Sequence, residues 1–214
     1  MPDYLLKTGL YIARGSAITV ELCAVTLLFA LPLAVLLALA RVSRNRPVVR
    51  ALEVYSWIFR GTPLLLQLFF TYYGLSLFGL SLPPFLAAAL TFIVNYAAYL
   101  MEIFRAGIES IDPGQREAAL ALNMSYAQSM RRIILPQAFR RVLPPLSNEA
   151  ISLVKDTALV SVIGMGDLLR SAKEVVSRDF SVLPFILAAA IYLGLSSLLV
   201  LLFQRLERRA AIHG

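Results

Sequence analysis

Five stretches of this sequence are apolar over close to the roughly 20 residues needed to cross the hydrocarbon core of a bilayer. They cover about 17–40, 63–80, 84–104, 143–163 and 182–203. A segment inside lipid must satisfy its own backbone N–H and C=O groups, and a helix does so without help from another segment. The expected class is therefore all-α: a polytopic membrane protein with five transmembrane helices, one bundle over residues 1–214. Composition agrees, with 59% hydrophobic and only 15% charged residues and a mean hydropathy of +0.75. The small-x-small pattern Ala38-Leu39-Ala40 does not make the first stretch a cleaved leader. The apolar run is longer than a leader core of about 7–15 residues, and its arginines follow it. It reads as a retained first span.

Local signals place the ends of the others. "RGTP" opens the second span, where Thr62 is expected to cap the helix and Pro63 to take its first position, since the missing N–H is not needed there. "SLPP" marks the turn before the third. Five spans put the termini on opposite sides, and the basic residues choose the sides. Fourteen arginines follow the first span, lie between the third and fourth, or follow the fifth, against five basic residues on the other side. The N-terminus is expected outside, the C-terminus inside, and the segment 105–141 on the cytoplasmic face.

Two spans carry polar residues in register. Asn95, Tyr99 and Glu102 lie four and three residues apart, on one helix face. Asn148, Glu149, Ser152, Lys155 and Asp156 fall within a stripe of roughly 120°. An Asp or Lys at a helix centre raises the insertion free energy by about 2.5–3.5 kcal/mol, so the stripe must face protein or a water-filled pathway. Two readings stand side by side. Lys155 pairs with Asp156 or Glu149 and the amides join helices, or the stripe lines a pathway for a polar solute whose ammonium satisfies the unpaired acid.

The remaining candidates are bland. Cys23 is a lone cysteine in an apolar run, and His213 is next to the last residue. No metal set, HExxH or GxxxxGK[ST] pattern is present, so a membrane-embedded enzyme and an ATPase are both disfavoured. No cofactor and no metal are expected. The second rival, a scaffold or assembly subunit without its own pathway, leaves the polar stripe without a purpose.

Segment 113–134 reads as two short helices joined at Asn123. The first runs about 113–122 behind the cap and first-turn pair Asp112-Pro113, with Ala118, Ala119 and Ala121 small enough to let another backbone approach. The second runs about 125–134, capped by Ser125, with Pro136 ending the regular helix because it lacks an N–H. Asparagine tolerates the left-handed conformation that a tight turn between helices requires. Such a segment can lie on lipid headgroups as a basic amphipathic helix or enter a groove of a partner. A further segment, 167–179, carries three acids and three bases and suits either a receptor contact or a solvated surface helix.

The spacing Glu117-Ala118-Ala119, three residues, Asn123, nine residues, Ile133-x-Leu135-Pro136 resembles the EAA motif of bacterial ABC importer permeases, with asparagine at the glycine position. The segments "IFRGTPLLLQLFFTYYGL" (58–75), "YLMEIFRAGIESIDPGQREAALAL" (99–122), "RRIILPQAFRRVLPPLSNE" (131–149) and "VKDTALVSVIGMGDLLRSA" (154–172) are similar to the polar amino acid permease subfamily of histidine, glutamine and arginine permeases. Ala158 departs from the serine often found there.

The resemblance implies a type I importer permease-like bundle with a cytoplasmic EAA coupling loop, in the bacterial cytoplasmic (inner) membrane. It implies a second permease subunit as homodimer or heterodimer, two ATP-binding subunits and an extracytoplasmic amino acid-binding protein; nucleic acid is not an expected partner. The site residues expected on this basis are Asn95, Glu102, Asn148, Glu149, Ser152, Lys155 and Asp156 for the substrate pathway. Glu117, Ala118, Ala119, Asn123, Ile133, Leu135 and Pro136 are those expected for ATPase coupling.

Overall fold

The computed structural model describes residues 2–212, and His213 lies outside them. Every regular element among the described residues is helical. The first, α1 (Pro2–Arg41), is 40 residues long and begins well before the expected start at residue 17. Lys7 and Arg14 do not stop it because both side chains are exposed, where they are good helix formers. The inward stripe of α1 repeats every four residues: Leu22, Thr26, Ala30, Ala34 and Ala38 are all fully buried. Residues at this spacing share one face, and small side chains let two helices approach closely. The partner is α5 (Pro84–Glu109), which presents buried Ala87, Ala88, Ala97 and Ala98. Cys23 is buried in the same core.

Between them lies α2 (Arg46–Gly61), a helix hydropathy alone does not reveal because charged and apolar residues alternate along it. It packs on α5. The chain then breaks, and the apolar stretch continues as α3 (Leu64–Phe69), a π turn (Phe70–Gly74) and α4 (Leu75–Leu77). Thr62 does not cap α3. It ends α2 in extended conformation, its hydroxyl donating to the Ile58 carbonyl and accepting from Gln67 Nε2, both at 2.8 Å. Pro63 takes the capping position instead, at φ −61° and ψ 132°.

After α5 come α6 (Pro113–Ala121) and α7 (Tyr126–Ser129), capped as expected. Asp112 accepts from the Gly114 amide at 2.7 Å, and Ser125 forms a reciprocal capping box with Gln128. Pro136 does not end the second helix. A π turn (Met130–Ile134) leads directly into α8 (Leu135–Asp156), which also contains Pro144 and Pro145. The Leu135 amide reaches back to the Met130 carbonyl, and the wider π turn receives the proline where a regular turn would clash with it. The helical path tightens into a 3-10 segment (Thr157–Ile163) and stops at Gly164, φ 86°.

Finally α9 (Leu168–Asp179) and α10 (Leu183–Ile212) complete the chain. Asp167 caps α9 by accepting from the Leu169 and Arg170 amides at 3.0 and 3.1 Å. Among the described residues, three helical stretches are long and apolar enough to cross a membrane by length and composition: Asp3–Arg41, Pro84–Glu109 and Leu183–Arg209. Leu64–Leu77 is a shorter apolar helix.

Two glycines mark close crossings. A Cβ on Gly107 of α5 would stand 2.3 Å from Val142 Cγ1 of α8. A Cβ on Gly15 of α1 would stand 2.8 Å from the Asp167 carbonyl. The core they frame, with Leu22, Phe92, Leu100, Leu153 and Val160, fixes α8 against α1 and α5.

Candidate functional site

The polar stripe of α8 is not closed by internal pairing. Glu149, Ser152 and Asp156 are half-buried, while Asn148 and Lys155 are exposed. Among the described residues, none of Glu149, Lys155 and Asp156 enters an ion pair. Asp156 instead accepts from the Tyr96 hydroxyl of α5 at 2.7 Å, with the Tyr96 ring stacked on Phe92. Glu149 lines a cleft of about 300 Å³ together with Arg60, Tyr99, Glu102 and Arg105. Seven residues, about 10 Å along the helix, separate the two carboxylates. Both can accept from an ammonium or guanidinium group.

The α5 face divides between two tasks. Asn95 is only 4% exposed, and its amide nitrogen donates to the Phe59 carbonyl at 2.8 Å and to Gln67 Oε1 at 3.0 Å. Gln67 Nε2 in turn donates to the Phe59 and Thr62 carbonyls. The break between α2 and α3 frees carbonyls that a continuous helix would satisfy, and these two amides satisfy them. Asn95 therefore holds the break together, and the expected open lining at this residue is not observed.

Tyr99 and Glu102 sit one and two turns further on. Arg60 lies over the Tyr99 ring, 5.3 Å from its centroid, a cation–π contact. Glu102 pairs with Arg105 at 2.7 Å and lies 3.8 Å from Arg41, which also holds Glu53 at 2.9 Å. Glu102 is thus already matched by arginines, unlike Glu149 and Asp156. Arg60 and Glu102 nevertheless line both the Glu149 cleft and a neighbouring one of about 370 Å³ bounded by Trp57.

The EAA-like segment splits into an inward and an outward side. Glu117, Ala118, Asn123 and Pro136 are exposed. Ala119 is fully buried, its carbonyl accepting from the Met124 amide at 3.0 Å, so it is closed to any partner backbone. Ile133 and Leu135 pack on the cluster of Ile108, Ile111, Met130 and Ile134 and attach the segment to the bundle. Asn123 has φ 54°, the left-handed turn expected of it.

On α9, Leu168, Ser171, Ala172 and Val175 are buried, and tyrosines of α1 hold its outer edge. Tyr4 donates to Asp179 and Tyr11 to Glu174, each at 2.7 Å. Bonds from Arg178 and Tyr4 draw Asp179 down to about 2. Bonds from Tyr11 and Arg170 lower Glu174 from the ordinary carboxylate value.

Sequence reasoning passed over Arg60, Gln67 and Tyr96. Arg60 and Gln67 belong to a helix break that hydropathy does not resolve, and Tyr96 is off the face defined by Asn95, Tyr99 and Glu102.

Residues 30–212 match a family model described as binding-protein-dependent transport system inner membrane component. The chain is 41% identical over 201 residues to the arginine transport system permease protein ArtQ of Bacillus subtilis (strain 168), covering 93% of this chain and 92% of that protein. It is 38% identical over 217 residues to a putative glutamine transport system permease protein GlnP of Rickettsia bellii (strain RML369-C), covering 99% and 100%. It is 42% identical over 200 residues to the L-cystine transport system permease protein TcyB of Bacillus subtilis (strain 168), covering 92% and 86%. A solved structure described as an amino acid ABC transporter with histidines superposes with a TM-score of 0.89 at 38% identity, covering 96% of this chain and 97% of that one.

Proposed function

The chain belongs to the family of binding-protein-dependent transport system inner membrane components, and on that premise we propose that it is the transmembrane permease subunit of an ATP-driven amino acid importer. Its substrate is a polar or charged amino acid. The observation that carries this reading is the pair of half-buried carboxylates on α8, Glu149 and Asp156, with no cationic side chain in ion-pair contact among the described residues. Charged groups in a span persist where they line a pathway or meet a partner, and an amino acid brings an ammonium group to them. The named relatives carry arginine, glutamine and cystine in their descriptions, which supports an amino acid substrate.

ATP hydrolysis takes place in two separate ATP-binding subunits. These dock on the outward side of 113–134, where Glu117 and Ala118 are exposed beside the turn at Asn123. Movement of that contact swings α5 and α8, which continue from either end of the segment, and exchanges two gated states by rigid-body motion. A second permease subunit completes the pathway and an extracytoplasmic binding protein delivers the amino acid. Five spans, with the N-terminus outside and the C-terminus cytoplasmic, follow from the basic-residue distribution if Leu64–Leu77 and 135–163 cross with the three long apolar helices.

The test is ATP-driven uptake of labelled arginine, histidine and glutamine into proteoliposomes holding the full complex with its binding protein. Glu149→Gln and Asp156→Asn are expected to lower uptake while the complex still assembles. Glu117→Lys is expected to lower both uptake and ATPase stimulated by the binding protein. Wild-type uptake in both carboxylate variants would refute the pathway, and unchanged ATPase and uptake in Glu117→Lys would refute the coupling contact.

A further inference from the structure

A wide cleft lies away from the polar stripe, with none of its residues in the lining. It measures about 1020 Å³ and opens where the end of α1 meets the EAA-like segment. Its walls are apolar: Leu39 in the last turn of α1, Val42 just after that helix, and Leu120, Met130 and Leu135. Its rim is basic, with Arg44, Arg116 and Arg131 and no acidic residue. A second cleft of about 520 Å³ adjoins it through the shared Ser43 and Arg44 and adds Arg46 and Arg50. Glu53 is the acid there, and Arg41 already holds it at 2.9 Å. None of Arg44, Arg46, Arg50, Arg116 and Arg131 forms an ion pair among the described residues.

A free phosphate would need the arginines but not the apolar walls. An uncharged acyl chain would need the walls but not the arginines. We propose that this double cleft is a binding site for an anionic phospholipid, its phosphate held among Arg44, Arg116 and Arg131 and an acyl chain laid along Leu39, Val42 and Met130. The inference rests on the topology reading, which puts the cleft at the cytoplasmic leaflet. Anionic lipids attract basic segments there, and basic pockets between helices on that side hold acidic headgroups. The site sits between the end of a spanning helix and the coupling segment. A bound lipid would therefore stiffen the connection through which α6 moves α8.

The probe is a photoactivatable phosphatidylglycerol in nanodiscs holding the full complex, with its phosphatidylcholine counterpart as the zwitterionic comparison. Crosslinks are mapped to peptides. The expected result is labelling at Leu39, Val42 or Met130 by the glycerol lipid and much less by the choline lipid. Each arginine contributes a factor of about fivefold near an anionic surface, so Arg44→Gln, Arg116→Gln and Arg131→Gln together should lower labelling by up to about a hundredfold. The control removes three other exposed arginines, Arg132→Gln, Arg205→Gln and Arg208→Gln, and should keep it. Equal labelling by both lipids, or no loss in the first triple variant, would overturn the proposal. Labelling that appears only after the ATP-binding subunits are stripped would overturn it too, since the cleft then belongs to their docking surface. Membrane-impermeant labelling of Ser43→Cys from either side reports the topology separately, so a failed topology and a failed lipid site give different results.

Discussion

The hydroxyl of Tyr96 on α5 donates to Asp156 on α8 at 2.7 Å. An acid with no cation in ion-pair contact among the described residues is thereby held in place by a neutral donor. Asp156 also closes α8, one residue before the helix tightens at Thr157. The bond sets the orientation of the carboxylate at the end of α8.

Tyr96→Phe should therefore impair transport without abolishing assembly. A hydrogen bond to a charged group contributes about 1.5–3 kcal/mol, so we expect a lower thermal midpoint and reduced uptake. In a double-mutant cycle with Asp156→Asn, the effects on uptake should be less than additive. Full additivity would show that the two residues act separately.

Asn123 tests the turn between α6 and α7. Its φ of 54° is open to glycine and tolerable for asparagine, but a left-handed L-residue costs roughly 1–2 kcal/mol, and a β-branched side chain is disfavoured further. Asn123→Gly should retain ATPase stimulated by the binding protein, and Asn123→Val should lose most of it. Equal activity of the two variants would mean that the turn does not govern coupling.

The α5–α8 crossing depends on Gly107. Gly107→Ala places a methyl 2.3 Å from Val142 Cγ1, and overpacking of this kind costs about 1–3 kcal/mol. The purified complex should melt at lower temperature, and adding Val142→Ala should recover much of the loss. A Gly107→Ala variant as stable as the parent would show that the helices separate freely.

The attachment of α9 to α1 should weaken in acid. Asp179 is drawn down to about 2, first by Arg178 and then by Tyr4, from an unfolded value near 3.9. A depressed carboxylate contributes stability above its unfolded pKa and loses it as pH falls through the folded one. The loss should therefore fall between about pH 4 and pH 2, with no change from pH 5 to 8. Carboxyl-carbon NMR of Asp179 should show this low midpoint, and Arg178→Gln should raise it. An ordinary midpoint in the unsubstituted protein would remove the basis for this contact.

The helical class and the approximate positions of the apolar segments were legible in residues 17–40, 84–104 and 182–203 because lipid-length apolar runs leave a helix little alternative. The caps at Asp112 and Ser125 and the left-handed turn at Asn123 were legible too, since each depends on chemistry within three or four residues. Pro136 was misread because its effect depends on how the preceding turn winds, and the π turn at Met130–Ile134 removes the clash that proline usually causes. The α2–α3 break was misread at Thr62 for a similar reason: Gln67 and Asn95 from other turns supply the hydrogen bonds.

The polar stripe of α8 was visible as a pattern, but not the fate of each member. Asn95, Glu102 and Glu149 are all polar residues on helices. Only packing decides that Asn95 fills the carbonyls of a broken helix, that Glu102 is matched by two arginines, and that Glu149 faces a cleft without an ion-pair partner. The sequence by itself determined the helical class, the three long apolar helices and the caps and turn at Asp112, Ser125 and Asn123, because those depend on local hydrogen bonding and transfer free energy. The tertiary structure alone decided which charges are satisfied, because that depends on which side chains distant in sequence arrive within a few ångströms.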